Sequence, residues 1–235
     1  MKPLLIVAIA VLMLGGGIAR AGPFEDGLAA YERLDFAAAL RMYRPLALQG
    51  DARAQYALGQ MYSNGNGVVQ DTHEMLKWYR LSAEQGHARA QFSLGAVYMW
   101  GRGSTVAQDY SEAVKWFRIS AEQGYSWGQF SLGTMYRDGL GVTQDYGEAV
   151  KWFRLAAAQG DAFMQNQLGE MYDVGQGVSQ DYVRAHMWFN LGAVSGDARA
   201  VKSRDRVAKK MTAQQITQAQ KLANDCQQRN FKRCD

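Results

Sequence analysis

Residues 94–103 read Leu-Gly-Ala-Val-Tyr-Met-Trp-Gly-Arg-Gly, and the same frame of Leu-Gly, Tyr and Gly-x-Gly occurs four times in the chain. Each copy continues with Gln-Asp and a pair of aromatic residues, and it closes on a Gly. The aspartates of the four copies are Asp71, Asp109, Asp145 and Asp181, so successive copies lie 38, 36 and 36 residues apart. Self-similarity at this period predicts a stacked array of repeats rather than a fold around one compact core.

Each repeat is predicted to be a pair of helices, A and B. Apolar residues recur at three- and four-residue steps in both halves, which places them on one face of a helix. Helix A should end at the first Gly of Gly-x-Gly, because Gly adopts the left-handed conformation at little cost. Helix B should begin at the Asp, with Glu74, Glu112 and Glu148 completing a capping box. A Gly such as Gly95 also lies in the middle of each helix A, where it predicts close helix contact.

The recurring Leu-Gly-x-x-Tyr, Gly-x-Gly-Val, Asp-Tyr-x-x-Ala and Trp-Phe-x-x-Ala-Ala-x-x-Gly segments resemble the Sel-one-like repeat family, a variant of the tetratricopeptide repeat. The resemblance implies an all-α fold, a right-handed α/α solenoid of about five helix-pair repeats with a C-terminal capping helix. The predicted repeats are residues 22–50, 51–86, 87–124, 125–160 and 161–196, which together form one domain, 22–196. Repeat 87–124 has two extra residues in its A-to-B loop, and repeat 22–50 lacks the Gly-x-Gly.

Residues 1–21 have the pattern of a secretory signal peptide. Lys2 precedes an apolar run over residues 4–14, and the small-x-small sequence at 19–21 predicts cleavage between Ala21 and Gly22. The alternative is an uncleaved membrane anchor, but the run is short for a bilayer span of about 20 residues. We therefore expect the protein to be exported, either to the periplasm or out of the cell.

Residues 197–235 form a basic C-terminal segment in which the repeat frame decays. Residues 199–235 carry ten Lys and Arg against three Asp, whereas the repeats before them are net acidic. The end of a repeat array requires a polar outer face, and Thr212 followed by Gln215 predicts a last capping helix. We expect a solvated cap; the alternative is weak contact with an anionic membrane surface or an acidic partner. Nucleic acid is not expected as a partner, because the repeats are acidic and export separates the protein from it.

Both cysteines of the chain, Cys226 and Cys234, lie in this basic segment. Export to an oxidising compartment favours an intrachain disulfide, which would tie the tail to the last helix. The alternative is two free thiols in a chain that stays in the cytosol. A metal site is not expected, since no His lies near either Cys in the sequence.

The sequence offers little that is typical of an enzyme. Residues 124–128 (Gly-Tyr-Ser-Trp-Gly) match a nucleophile elbow, but they follow a predicted helix rather than a strand. His73, His87 and His186 occupy unrelated positions of the repeat. Some cysteine-rich members of the resembled family are linked to β-lactam binding or hydrolysis, yet this chain lacks their cysteine pair in each repeat and any Ser-x-x-Lys. We predict no catalytic residue, cofactor or metal; the alternative is a cell-wall-related or β-lactam-binding or hydrolysing enzyme.

Partner recognition is expected on helix A, at positions that face the concave side of the solenoid and vary between copies. Large apolar side chains occupy these positions in the middle repeats, where other copies carry Arg, Ser, Asn or Asp, so the fold does not require them. The predicted binding patch consists of Arg89, Phe92, Met99, Trp100, Trp127, Phe130, Arg137 and Phe163. The alternative for some of these is packing against the next helix A or the longer loop. The aromatic pairs of helix B, such as Trp116-Phe117, are predicted core.

These features together predict a non-enzymatic, exported scaffold or regulatory adaptor. Its partner is expected to be a protein or peptide held in the concave groove. Members of the resembled family typically act as adaptors or regulators, which agrees with this prediction.

Overall fold

The computed structural model describes residues 22–232 and residue 234, so the predicted signal peptide and Ala21 lie outside the described residues. Within this part of the chain the fold is all-α, as predicted. Its helices are α1 (Pro23–Glu32), α2 (Phe36–Leu48), α3 (Ala52–Asn64), α4 (Thr72–Glu84), α5 (Ala88–Trp100), α6 (Tyr110–Glu122), α7 (Ser126–Asp138), α8 (Tyr146–Ala157), α9 (Ala162–Val174), α10 (Tyr182–Val194), α11 (Ala198–Ala208) and α12 (Ala213–Gln228). None of these helices is long and apolar enough to cross a membrane.

The helices pack in the order in which they occur in the chain. α1 to α10 form five A–B pairs, and each helix B also contacts helix A of the following pair. Buried side chains consequently form a series of clusters along the stack instead of one central core. This arrangement confirms the predicted helical repeat fold.

Gly95 in α5 and Phe117 in α6 show how the two helices of a pair approach each other. Phe117 is 1% exposed, and a Cβ atom added to Gly95 would lie 2.5 Å from its ring. The same contact joins Gly59 to Tyr79, Gly133 to Phe153 and Gly169 to Phe189. The close contact expected at the mid-helix glycines is therefore confirmed.

The prediction that both residues of each aromatic pair belong to the core is wrong for Trp116 and Trp152. Both indoles are only half-buried, whereas Trp78 and Trp188 are 6% and 2% exposed. The second aromatic of each pair faces the mid-helix Gly. The Trp is one residue earlier, about 100° around the helix, so it does not face that Gly, and its burial differs between repeats.

Aspartates begin most of the helices, as predicted. The Asp71 carboxylate accepts from the backbone N–H groups of His73 and Glu74 at 2.8 and 3.1 Å. Glu74 does not complete the predicted capping box; it pairs with Lys77 at 3.0 Å. Glu112 and Glu148 pair with Lys115 and Lys151 in the same way. A complete capping box is present at the start of α12, between Thr212 and Gln215.

The Gly-x-Gly loop after α9 lies against the preceding repeat. Gly175 ends α9 with φ +72°, as predicted. Gly177 has φ +71°, and a Cβ atom there would lie 2.1 Å from the carbonyl oxygen of Tyr146 at the start of α8. Gly103 is the equivalent residue of the loop with two extra residues, and a Cβ there would meet no atom within 4 Å. The second Gly of the motif is thus required by packing between repeats wherever the loop is short.

Polar side chains connect each helix B to the following repeat. The Arg118 guanidinium on α6 donates to the Tyr136 hydroxyl on α7 at 2.6 Å. The same bond joins Arg80 to Tyr98 and Arg154 to Tyr172. The Tyr of the frame therefore joins helix B to the following repeat in three of its four copies.

The C-terminal segment covers the last repeat. α12 packs chiefly against α10, and Cys226, which is fully buried on α12, forms a disulfide with Cys234 across a Cα–Cα distance of 5.0 Å. The ring of Phe231 lies against Gly160, where a Cβ atom would approach it to 3.0 Å. The disulfide therefore closes a short loop that places an aromatic ring on the preceding repeat.

Some basic residues of the C-terminal segment form ion pairs with carboxylates of the last repeat. The Asp173 carboxylate on α9 is buried, and it forms ion pairs with Arg206 at 2.7 Å and with Lys210 at 3.1 Å. Arg206 also contacts Glu170 at 3.0 Å. Because a buried carboxylate is costly unless it is paired, these cations are needed for the cap to dock.

Candidate functional site

We call the surface formed by the predicted binding positions of α3, α5, α7 and α9 the A-helix face. Three aromatic residues of the predicted patch meet on this face. The ring centroids of Trp127 and Phe163 lie 6.2 Å apart and are stacked, and Phe130 lies 5.0 Å from Phe163. Trp127 also meets Phe130 edge to face at 6.1 Å. We call these three residues the aromatic trio. The Arg199 guanidinium covers the outer side of Phe163 at 4.8 Å.

Phe92, Met99 and Trp100 of α5 lie apart from the aromatic trio. Phe92 contacts Phe117 and Tyr125, with centroids 5.8 and 5.6 Å away. Met99 is half-buried against the core between α6 and α7, whereas Trp100 is 74% exposed and lines a cavity of about 340 Å³ together with Phe92. Adjacent helix residues point about 100° apart, which explains why Met99 and Trp100 separate. The structure therefore divides the predicted patch into two surfaces.

The two arginines of the predicted patch have different surroundings. Arg137 on α7 pairs with Asp138 at 2.7 Å, and its guanidinium lies 6.0 Å from the Phe153 ring. Arg89 at the start of α5 is exposed and lies at a cavity of about 280 Å³ near the first repeat. Arg137 is thus held by its own neighbours, whereas Arg89 is exposed at the edge of a cavity.

The cavity beside Arg89 was not predicted from the sequence. Its walls include Phe24 and Tyr31 of α1 and Tyr56 of α3, and His87 and Arg53 lie at its edge. We call this cavity the aromatic bowl. Two of its walls come from repeat 22–50. That repeat lacks the frame, so its residues could not be aligned with the binding positions of the other repeats. The available signal was the aromatic residues of α1 together with Arg53 and Arg89 at one position of successive repeats.

Polar contacts fix two side chains of the aromatic bowl. The Arg53 guanidinium lies 4.3 Å from the centre of the Phe24 ring and pairs with Glu25 at 3.1 Å and with Asp51 at 3.4 Å. Nδ1 of His87 accepts from the Ala90 backbone N–H at 3.3 Å and caps α5. Burial, together with the charge of Arg89, lowers the pKa of His87. Neutral His87 therefore carries its ring proton on Nε2.

Two histidines, half-buried His87 and buried His186, lead us to expect that stability decreases in mildly acidic solution. Burial lowers the pKa of both His87 and His186 from 6.5, and the nearby charges of Arg89 and Arg204 lower it further. As pH falls through 6.5 the unfolded chain gains protons before the folded chain does, so the free energy of unfolding should decrease until the lower folded pKa values are passed. Urea unfolding at a series of pH values between neutral and mildly acidic measures this slope.

The control for the pH effect is a histidine variant. His186→Gln should flatten the slope, even if it also lowers stability at every pH. Asp197 acts at lower pH, because the hydrogen bond from Arg199 lowers the pKa of its carboxyl from 3.8. An equal slope in wild type and His186→Gln would contradict the assignment.

The residues considered for catalysis are placed in structural roles. Ser126 is the first residue of α7 and follows helix α6, so the Gly-Tyr-Ser-Trp-Gly segment is not a strand-to-helix elbow. Gly128 of this segment packs on Ser120, to whose Oγ an added Cβ would approach within 2.6 Å. Over residues 22–232 and 234, no group of three His, Cys, Asp or Glu side chains could hold a metal ion.

A family model of the Sel1 repeat matches residues 17–51, 52–87, 88–125, 128–161 and 162–197. The chain belongs to the Sel1 repeat family. Its first matched Sel1 repeat begins at residue 17, before the predicted cleavage site. Sel1 repeat proteins generally mediate protein–protein interactions, and the scaffold is typically non-enzymatic. No curated protein matches the chain.

Solved structures of Sel1 repeat proteins are similar over most of the chain. A Sel1 repeat protein from Oxalobacter formigenes is 31% identical, with a TM-score of 0.70 over 84% of each chain. The protective antigen c5321 of uropathogenic Escherichia coli displays an SLR fold and is 28% identical, with a TM-score of 0.54 over 88% of this chain and 55% of that one. The immunity protein Pa5087 from Pseudomonas aeruginosa, 18% identical with a TM-score of 0.52 over 89% and 83%, shares the fold alone.

Proposed function

We propose that this Sel1 repeat protein is an exported scaffold or regulatory adaptor that binds a protein or peptide on its A-helix face. The observation that carries the proposal is the aromatic trio, in which Trp127 stays 40% exposed while it stacks on Phe163. An exposed indole on a rigid helix loses little conformational entropy on binding, and Trp is enriched among the residues that dominate interface energies. The trio is thus preorganised for contact with a partner.

The comparison between repeats supports a role in recognition. The positions equivalent to Trp127 carry Arg53 and Arg89, and the position of Trp100 carries Asn64 and Asp138. The helix pair folds with these polar residues, so the large rings are not needed for the stack. We infer that Trp127 and Phe163 form one binding surface, with Phe130 beneath them, and that Phe92 and Trp100 form a second, while Met99 supports the second from the core.

Export rests on two features at opposite ends of the chain. Residues 1–21 have the charge, apolar run and cleavage pattern of a signal peptide. The Cys226–Cys234 disulfide suits an oxidising compartment. We therefore propose a periplasmic or secreted protein. Its basic cap is proposed to be structural, because Arg206 and Lys210 neutralise Asp173 instead of facing a membrane.

The experiment that tests the proposed function uses the partner identified by crosslinking in the native envelope. Trp127→Ala and Trp100→Ala should each weaken binding by more than about tenfold, since truncated aromatic anchors often cost about 2 kcal/mol or more. Far-UV circular dichroism should show nearly unchanged helix content, because both indoles are exposed. Isothermal titration of the purified partner into each variant gives the affinities.

The control variant is Phe117→Ala, which truncates a core residue of α6. Phe117 is 1% exposed, so its truncation should lower stability by about 3 to 5 kcal/mol. If Trp127→Ala and Trp100→Ala lost as much stability, both rings would be core residues and the assignment would be wrong. Wild-type affinity in both variants would refute the binding surface directly.

A further inference from the structure

The aromatic bowl combines apolar walls with a cation, Arg89, that forms no ion pair with any residue that the structure describes. Phe24, Tyr31 and Tyr56 surround a cavity of about 280 Å³, large enough for one amino-acid side chain but not for a folded element. Arg89 stands at its edge, exposed, and no carboxylate among the described residues lies within ion-pair distance of it. By contrast, Arg53 on the same edge is held between Glu25 and Asp51.

A second donor lies beside Arg89. The Ala90 backbone N–H occupies Nδ1 of His87, so the neutral ring presents Nε2–H as a donor. The centroid of the His87 ring lies 4.8 Å from that of Tyr56, which connects the donor to the apolar wall. A ligand at this edge therefore meets one guanidinium and one imidazole N–H next to aromatic surface.

We propose that the aromatic bowl binds a carboxylate group that lies next to an apolar side chain of a peptide. This inference rests on the proposed function, because it assigns the bowl to the same peptide partner as the aromatic trio. A monoanion fits better than a phosphate, since only Arg89 is uncompensated and Glu25 and Asp51 repel a higher negative charge. The apolar side chain fills the cavity, while the carboxylate accepts charge-assisted hydrogen bonds from Arg89.

The carboxylate can come from a peptide C-terminus or from an Asp side chain, and two matched pairs of probes distinguish these sources. N-acetylphenylalanine carries a terminal carboxylate beside its ring, and N-acetylphenylalaninamide is the same molecule without the charge. N-acetyl-aspartyl-phenylalaninamide carries a side-chain carboxylate beside the ring, and the asparaginyl peptide is its uncharged match. Binding is followed on the full purified chain by NMR shifts of the His87 ring.

We expect at least one acid to bind with a dissociation constant of about 1 mM, as small fragments do, and its amide to bind at least tenfold more weakly. Arg89→Gln should remove the preference for the acid, whereas Arg137→Gln, on a different repeat, should retain it. Equal binding of acid and amide would overturn the proposal. So would the absence of any His87 shift with every probe up to about 10 mM.

A further variant separates this inference from the proposed function. Trp127→Ala should leave binding of the probes unchanged, because Trp127 does not line the bowl. If Trp127→Ala weakens the partner while no acid probe binds, the bowl proposal fails and the proposed function stands. If the acid probes bind but Trp127→Ala and Trp100→Ala retain the partner, the proposed function fails.

Discussion

Gly177→Ala should lower the free energy of unfolding by about 2 to 5 kcal/mol, the sum of two separate costs. The residue has φ +71°, a left-handed conformation that costs a residue with a Cβ atom roughly 1 to 2 kcal/mol. The new Cβ would also lie 2.1 Å from the carbonyl oxygen of Tyr146. That obstacle is backbone at the start of α8, so the loop must move and lose its packing on the preceding repeat.

Gly103→Ala is the matched control for this prediction. Gly103 occupies the same position of the motif and has φ +54°, but a Cβ atom there would meet nothing within 4 Å. This variant should lose only the conformational part, about 1 to 2 kcal/mol. Urea unfolding of both variants, followed by far-UV circular dichroism, measures the difference. Similar losses in the two variants would show that close packing at Gly177 contributes nothing.

This pair of glycines also shows how far the sequence predicts the fold. The period, the helix pairs, the aspartate caps and the left-handed first Gly of the loops after α3, α7 and α9 follow from local rules, and the structure agrees with them. Gly101, in the longer loop, ends α5 in another conformation, with φ +68° and ψ 176°. The role of Gly177 depends on Tyr146, a residue of the previous repeat, and no local rule contains that contact. The failed capping box has a different, local cause: Glu74 accepts from Lys77 and Trp78 of its own helix instead of from the backbone at the helix start.

The candidate site was less predictable than the fold. Alignment of the repeats identified the variable positions of helix A. It did not predict that Met99 packs against the core while Trp100 faces solvent. The aromatic bowl needs side chains from a first repeat that lacks the frame. The charge of the C-terminal segment was visible in the sequence, yet its use depends on Asp173, a residue that faces the cap only in the folded stack.

Phe189→Ala should destabilise the last repeat by about 3 to 5 kcal/mol, because it empties a fully buried site. The ring lies against Gly169, where an added Cβ atom would approach it to 2.6 Å. In the wild-type chain Gly169→Ala should therefore also destabilise the protein. Overpacking should cost roughly 1 to 3 kcal/mol, and the gain in helix propensity offsets part of that cost.

The double variant gives the sharper test. In the Phe189→Ala background, Gly169→Ala should raise the free energy of unfolding instead of lowering it. With the ring gone, the new methyl group enters the emptied space and α9 gains up to about 1 kcal/mol of helix propensity. A double-mutant cycle by urea unfolding should then give a coupling energy of about 2 kcal/mol. Phe117, which belongs to a different buried cluster, provides the control, and Phe117→Ala with Gly169→Ala should be additive within about 0.5 kcal/mol. An additive result for Gly169 and Phe189 would mean that the repeated glycine does not serve close helix contact.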